Sequence, residues 1–250
     1  MSDSSEVPAS RMAVLIDADN ASASAIEAIL REVANYGKAN VRRAYGNWSK
    51  PELKGWRDRL HEFAIAPVQQ FDLTKGKNAS DIAMAIDAMD LLHAGDVDGF
   101  AIVSSDADFT PLVMRLRQSG ADVVGFGQAK APEPFQNACT RYFEVDALVQ
   151  VSANSGDQPA SNAKRRTGVQ LKQNAKLMNQ LRSAIDDAAA DDGWASLSQV
   201  SNLIRNQSSF EPKNYGYAKF SDLVRAIDAF EVSTDNKRVR RKPSGEAAKK

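Results

Sequence analysis

Two apolar runs, MAVLI (12–16) and GFAIVSS (99–105), each stop on an Asp-Ala-Asp triplet, as DADN and DADF. An unbroken apolar run rich in β-branched residues is what a strand buried on both faces requires, and such strands belong to parallel sheets covered by helices. The intervening segments alternate to match. Ile26, Ile29, Leu30 and Val33 recur at helical spacing over 24–36, and Gly37 follows as a stop. VRRAY (41–45) reads as a strand, and 52–63 as a helix with Leu53, Trp56, Leu60 and Phe63 on one face. IAPVQQF (65–71) is a strand whose Pro67 needs an edge or a strand end. Residues 80–93 predict a helix with Ser80 as N-cap and Ile82, Ala85, Ile86, Met89 and Leu92 on its packed side. A helix over 109–118 starts with Pro111 in its first turn, DVVGFG (122–127) is a strand, a short helix lies near 133–139, and RYFEV (141–145) is the last strand. This order predicts an α/β domain over 12–148, a mostly parallel sheet with helices on both faces.

The remainder differs in kind. Residues 149–170, with VSANSGDQPASNAKRRTGVQ at 151–170, are poor in apolar side chains and read as a linker. A long helix is expected over 171–190 on a stripe of Leu177, Met178, Leu181 and Ile185, then short helices over 197–205 and 219–228. FEVSTDNKRVRRK (230–242) alternates around an Asp-Asn pair and predicts a hairpin. Three helices and a hairpin make a small winged-helix module over 171–242. Residues 1–11 and 243–250 are expected to be flexible tails.

Charge separates the two parts. Residues 1–150 hold 15 basic and 21 acidic side chains, net −6, and 151–250 hold 17 and 11, net +6. An acidic front and a basic back imply different tasks. With 43% hydrophobic and 26% charged residues, the chain is neither disordered nor fibrous. Cys139 is the only cysteine, which excludes an internal disulfide and any multi-cysteine zinc site, and His61 and His93 are too few for a histidine-rich one. The polar MSDSSEVPAS start does not resemble a signal peptide, and no run of about 18 apolar residues occurs, so the expected location is the cytoplasm with no membrane contact.

The aspartates carry the chemistry. Asp17 and Asp19 follow the first strand, Asp106 and Asp108 the fourth, and Asp81 stands in the first turn of the 80–93 helix. Ligands in open α/β sheets bind beyond the carboxyl ends of strands where strand order reverses. Should the first and fourth strands be neighbours, these carboxylates meet in one crevice. Like charges so close raise one another's pKa, and a divalent cation removes the cost; oxygen ligands alone suit Mg²⁺ or Mn²⁺. The same residue type also caps helices, Asp108 foremost here, and Asp19 is the member of the set least expected to be a ligand. No GxxxxGK[ST] or GxGxxG string serves nucleotide binding. Lys75 and Lys77, in the loop before Asp81, are placed to touch a phosphodiester.

IDADN, KNASD and SSDADF followed by PLV resemble the NYN domain of the PIN-like nuclease superfamily, in its LabA-like branch, over about 12–148. The resemblance implies a PIN-like Rossmannoid sheet and metal-dependent RNA cleavage. Asp17, Asp81, Asp106 and Asp108 then stand as catalytic metal ligands and Asn20 as the polar partner that places Asp17 or the substrate. Ser105 stands where the family pattern often has Gly, and adds a hydroxyl near the metal. GWASLSQVSNLIR, FEPKNYGYAKFSDL and the hairpin resemble the OST-HTH, or LOTUS, domain over 171–242, which implies RNA binding. Lys213, Lys219, Lys237, Arg238, Arg240, Arg241 and Lys242 supply charge for phosphates, and Tyr215 and Tyr217 supply rings for unpaired bases. Trp194 and Phe220 are expected in the core.

RNA, single-stranded or structured, is thus the expected partner, and a homodimer is compatible with the sequence. Two alternatives to a ribonuclease remain: an RNA-binding regulator that keeps a metal pocket, and an aspartyl phosphatase. The latter also places DxD after a first strand but adds a Thr or Val and a late lysine, where this chain has Asn20, Ala21 and only Lys130.

Overall fold

The MAVLI run becomes the middle of β1 (Arg11–Asp17), buried from Met12 to its last residue in a computed structural model that describes residues 10–71, 79–153 and 165–242. Lys75 and Lys77 lie outside the described residues. The chain divides at Val149 into two compact units.

In the first unit β2 (Lys38–Gly46), β3 (Ala66–Gln69), β4 (Gly99–Val103), β5 (Asp122–Gly127) and β6 (Arg141–Glu144) join β1 in one parallel sheet of order β3-β2-β1-β4-β5-β6. Pro67 sits on β3, an edge strand, where its missing N–H breaks no interior ladder. Strand order reverses between β1 and β4, paired from Met12↔Gly99 to Ile16↔Val103. The two Asp-Ala-Asp triplets therefore leave the sheet side by side.

Helices cover both faces. α1 (Ile26–Val33), a 3-10 turn at Pro51–Trp56 and α2 (Arg57–Glu62) lie toward one core, with Ile26, Ile29, Val33, Leu53 and Trp56 buried. α3 (Ala79–Ala94), α4 (Thr110–Gln118) and α5 (Glu133–Ala138) enclose the other, around Met84, Leu91, Phe109, Leu116 and Phe135. Large side chains buried this fully contribute roughly 1.5–3 kcal/mol each.

α3 departs from expectation in its face. Ser80, Met84, Ala88 and Leu91 point inward, whereas Ile82 and Ile86 are 61% and 58% exposed. The helix is apolar nearly all round, so spacing alone could not select the packed stripe. Ser80 is inside the helix, and its hydroxyl donates to Asp19 Oδ2 (3.2 Å). The chain also remains helical past β6: α6 (Val145–Ala153) covers the start of the expected linker and buries Leu148.

In the second unit α7 (Gly168–Gln173) begins inside the expected linker. Thr167 and Gln170 form a reciprocal capping box, a T-x-x-Q signal legible in the sequence. The expected long helix is two, because Asn174 leaves helical geometry and caps α8 (Ala175–Asp187) by accepting from Leu177 N–H (3.0 Å). α9 (Leu197–Gln207) and α10 (Phe220–Ala226) follow, and β8 (Phe230–Val232) and β9 (Arg238–Arg241) form the hairpin with Asn236 at positive φ. A two-residue strand, β7 (Ala195–Ser196), pairs with β9 and completes a sheet of order β7-β9-β8. Among the described residues no helix is long and apolar enough to cross a membrane.

Candidate active site

β1 delivers Asp17 to the crevice almost wholly buried, at 1% exposure. Its Oδ1 accepts the Asn20 backbone N–H (3.3 Å), and its Oδ2 accepts Asn20 Nδ2 (2.8 Å) and the Ser104 hydroxyl (2.8 Å). Burial pushes the Asp17 pKa above the usual carboxylate range; the Asn20 and Ser104 bonds oppose the shift, and the Asp19 charge adds to it. Asn20 thus holds the Asp17 carboxylate through both its backbone and its side-chain N–H groups.

Ser104 carried no signal in the sequence. It is buried between the first and fourth strands' ends, donates to Asp17 and accepts the Asp106 backbone N–H (3.1 Å), so one hydroxyl ties the two triplets together. Ser105, the residue singled out instead, accepts the Gln128 backbone N–H (2.7 Å). Gly127 makes that approach possible. A Cβ there would lie 2.4 Å from the Tyr142 hydroxyl and 2.5 Å from the Ser104 carbonyl oxygen.

The capping roles are also redistributed. Asp106, not Asp108, is the N-cap of the 3-10 turn Ala107–Phe109, and its Oδ1 accepts the Asp108 N–H (2.9 Å). The extended backbone of Asp106 leaves its side chain free to turn back over the first N–H groups, whereas Asp108 is already inside the turn and exposed. Asp19 faces Lys50 Nζ (3.4 Å) and Ser80.

Asp81 has no such support. It is half-buried in the first turn of α3 and accepts no hydrogen bond among the described residues. Its pKa is raised to about 6, first by burial and then by the charges of Asp17, Asp106, Asp108 and Asp19. Five aspartates from three segments therefore share one electrostatic neighbourhood.

As a donor set, all-oxygen carboxylates suit a hard divalent cation, whose charge would relieve that mutual repulsion. Among the described residues, however, no three Asp, Glu, His or Cys side chains stand close enough together to hold an ion. The residues fit such a cation in kind and charge, and binding one requires the carboxylates to draw in. Beside them opens a cavity of about 110 Å³ lined by Asn20, Ser22, Ser105, Phe126, Gln128 and Asp146, among others. Ser22, Gln128 and Asp146 carried no signal in the sequence; Ser22 is a chain neighbour of Asn20, whereas Gln128 and Asp146 reach the cavity only through the strand order β1-β4-β5-β6.

The second unit places its expected RNA contacts unevenly. Arg238 pairs with Asp192, Arg240 with Glu231 (2.7 Å), Arg241 with Asp186 (2.8 Å) and Lys242 with Asp228 (2.6 Å). The hairpin's charge is thus largely matched in place. Lys237 and Lys219 are exposed, and Lys213 is half-buried in the 3-10 turn Pro212–Tyr215. Tyr217 is a buried core member rather than an open platform, and Tyr215 packs against Phe210 with ring centroids 5.7 Å apart. Phe220 packs on the same core, but Trp194 does not. Trp194 is half-buried, with the Arg240 and Arg238 guanidinium carbons 4.5 and 5.6 Å from its ring centroid.

Comparison with known proteins agrees with this division. The NYN domain family matches residues 11–146, and the OST-HTH/LOTUS domain family matches residues 171–241. No curated protein matches. Among solved structures, a protein of unknown function from Vibrio parahaemolyticus is similar at 19% identity and a TM-score of 0.47, over 57% of this chain and 97% of its own.

Proposed function

The chain belongs to the NYN domain family, and from that membership we propose a metal-dependent ribonuclease that hydrolyses RNA phosphodiester bonds, with its OST-HTH/LOTUS domain binding RNA. NYN domains are generally nucleases, and OST-HTH/LOTUS domains point to RNA. The single observation that carries the metal-dependent part is Asp81, a half-buried carboxylate without a hydrogen bond among the described residues and held at about 6 by burial and four neighbouring aspartates.

Asp17, Asp81, Asp106 and Asp108 would hold Mg²⁺ or Mn²⁺. When bound, such a cation supplies charge neutralisation at the phosphate and a water of lowered pKa. The chain's own residues position the carboxylates. Asn20 and Ser104 fix the orientation of Asp17, and Ser104 couples it to the Asp106 backbone. Asn20 and Ser105 line the neighbouring cavity, where substrate groups flanking the scissile bond would be received.

The test is cleavage of labelled single-stranded RNA by the purified chain with Mn²⁺ or Mg²⁺, beside Asp17→Asn, Asp81→Asn and Asp106→Asn and a chelator control. Cleavage by the wild type alone, abolished by chelator, is expected. A wild-type chain that binds RNA but never cuts it supports a regulatory RNA-binding protein instead, a reading favoured by the cap role Asp106 already fills.

A further inference from the structure

Arg165 and Arg166 fall outside both family matches and inside the stretch that reads as a linker, yet they are built onto the second unit. Arg166 N–H donates to the Tyr215 carbonyl (3.2 Å), and the Tyr217 hydroxyl donates to the Arg166 carbonyl (2.8 Å). The Arg166 guanidinium lies over the Tyr215 ring at 5.0 Å from its centroid, and Arg165 over Tyr217 at 5.8 Å. Gly168 holds the segment against α10: a Cβ there would come within 2.1 Å of the Ala226 carbonyl oxygen, so only glycine allows this approach. The result is a cavity of about 640 Å³ lined by Arg165, Arg166, Thr167, Tyr217, Asp222, Arg225 and Ala226.

Its charge is unbalanced. Arg225 is engaged with Asp222 (3.4 Å) and Asn236. Arg165 and Arg166 have no carboxylate partner among the described residues and are exposed, in contrast to the paired cations of the hairpin. A guanidinium presents a planar fork that matches phosphate oxygens two at a time, and its stacking on a tyrosine preorganises it. The same plane accepts an unstacked base.

We propose that this pocket, through Arg165 and Arg166, seats the phosphodiester backbone of single-stranded RNA and is the principal RNA contact of the second unit, ahead of the hairpin. The proposal rests on the RNA-binding part of the function above and names its surface.

The test is binding of a fluorescent single-stranded RNA to the full chain by anisotropy, over a salt series, with chelator present so that the RNA stays intact. Arg165→Ala/Arg166→Ala should bind about tenfold more weakly, and its salt slope should fall by about 1.4, as expected when two phosphates of a single strand are no longer neutralised. Arg238→Ala/Arg240→Ala should stay within about threefold of wild type, because Asp192 and Glu231 cancel much of their charge locally and would repel an approaching phosphate. Arg165→Lys/Arg166→Lys should recover the salt slope and not the full affinity, since lysine restores charge without the fork. Unchanged melting temperatures check that each variant folds. Wild-type affinity and slope in the Arg165/Arg166 alanine variant, or a larger loss in the Arg238/Arg240 variant, overturn the pocket while leaving RNA binding intact. A wild-type chain with no RNA affinity overturns the RNA-binding reading and the pocket together.

Discussion

Five aspartates share one electrostatic neighbourhood beyond β1 and β4, where burial first, and then the charges of the other four, raise the Asp81 pKa to about 6. On the hairpin of the second unit, by contrast, Arg238, Arg240, Arg241 and Lys242 each find a carboxylate. The two parts of the sequence carry equal and opposite net charge, −6 over 1–150 and +6 over 151–250. In one, like charges are concentrated; in the other, the most conspicuous basic run is matched locally and the unmatched arginines sit at the edge of the apparent linker. Net charge sets a long-range field. Which side chains can still receive a ligand depends on which ones the fold has left unpaired.

The sharpest way to break this contrast is at the aspartates. Asp81→Asn should lower metal-dependent RNA cleavage by at least about 100-fold, since even partners outside a metal's own ligands cost 10–100-fold. The fold should be intact, because Asp81 makes no hydrogen bond among the described residues. Full cleavage by this variant would show that the gathered charge is incidental.

Ser104→Ala comes next. It removes the hydroxyl shared by Asp17 and the Asp106 N–H, both bonds lying in the crevice. A buried bond to a charged group is worth about 1.5–3 kcal/mol, so denaturant melts should show a loss of that order, with cleavage down about tenfold. Wild-type stability would mean that the two triplets are held by the backbone alone.

The pH dependence of stability tests the charge concentration without any substrate. The Asp81 pKa is raised from 3.8 to about 6 in the folded state. Its contribution to stability is therefore fully present below about pH 3.8 and is lost as pH rises through about 6. With chelator present, the chain should melt at a higher temperature near pH 5 than near pH 7. Asp81→Asn should raise stability near pH 7 by about 1 kcal/mol, after allowance for solvent screening of a half-exposed group, and flatten that slope. Added Mn²⁺ should stabilise the wild type more than this variant.

The smallest effect belongs to the hairpin. Breaking the Arg241–Asp186 pair with Arg241→Ala should cost about 0–1 kcal/mol, as for other exposed ion pairs, and the loss should vanish at high salt. A larger, salt-resistant loss would mean that these pairs build the module rather than merely neutralise it.

The strands were the most legible part of the chain. DVVGFG was bounded correctly as β5, and Pro67 did mark an edge strand, because runs buried on both faces leave an unambiguous apolar signature. Helix faces were less legible: α3 is apolar nearly all round, and only packing against the sheet chose Met84 and Ala88 over Ile82 and Ile86. At the site, Asp17, Asp19, Asn20, Asp106 and Asp108 were visible as strand-end polar residues and Asp81 as a carboxylate in the first turn of a helix. Ser104 was hidden beside Ser105, because one residue of difference at a strand end decides which hydroxyl points to Asp17. Trp194 was expected in the core and instead stacks with hairpin arginines, since the two-residue strand β7 that places it has no sequence periodicity.

Alone, the order of residues determined the elements, their α/β alternation, the strand-end aspartates and the two-part division, because apolar periodicity and turn chemistry are local properties. Strand order, the electrostatic proximity of Asp17, Asp81 and Asp106, and the difference between paired and unpaired arginines were decided only in three dimensions. Electrostatic interactions depend on distance through space, and residues 64 or 89 positions apart along the chain become neighbours only once β1 lies beside β4 and α3 packs on the sheet.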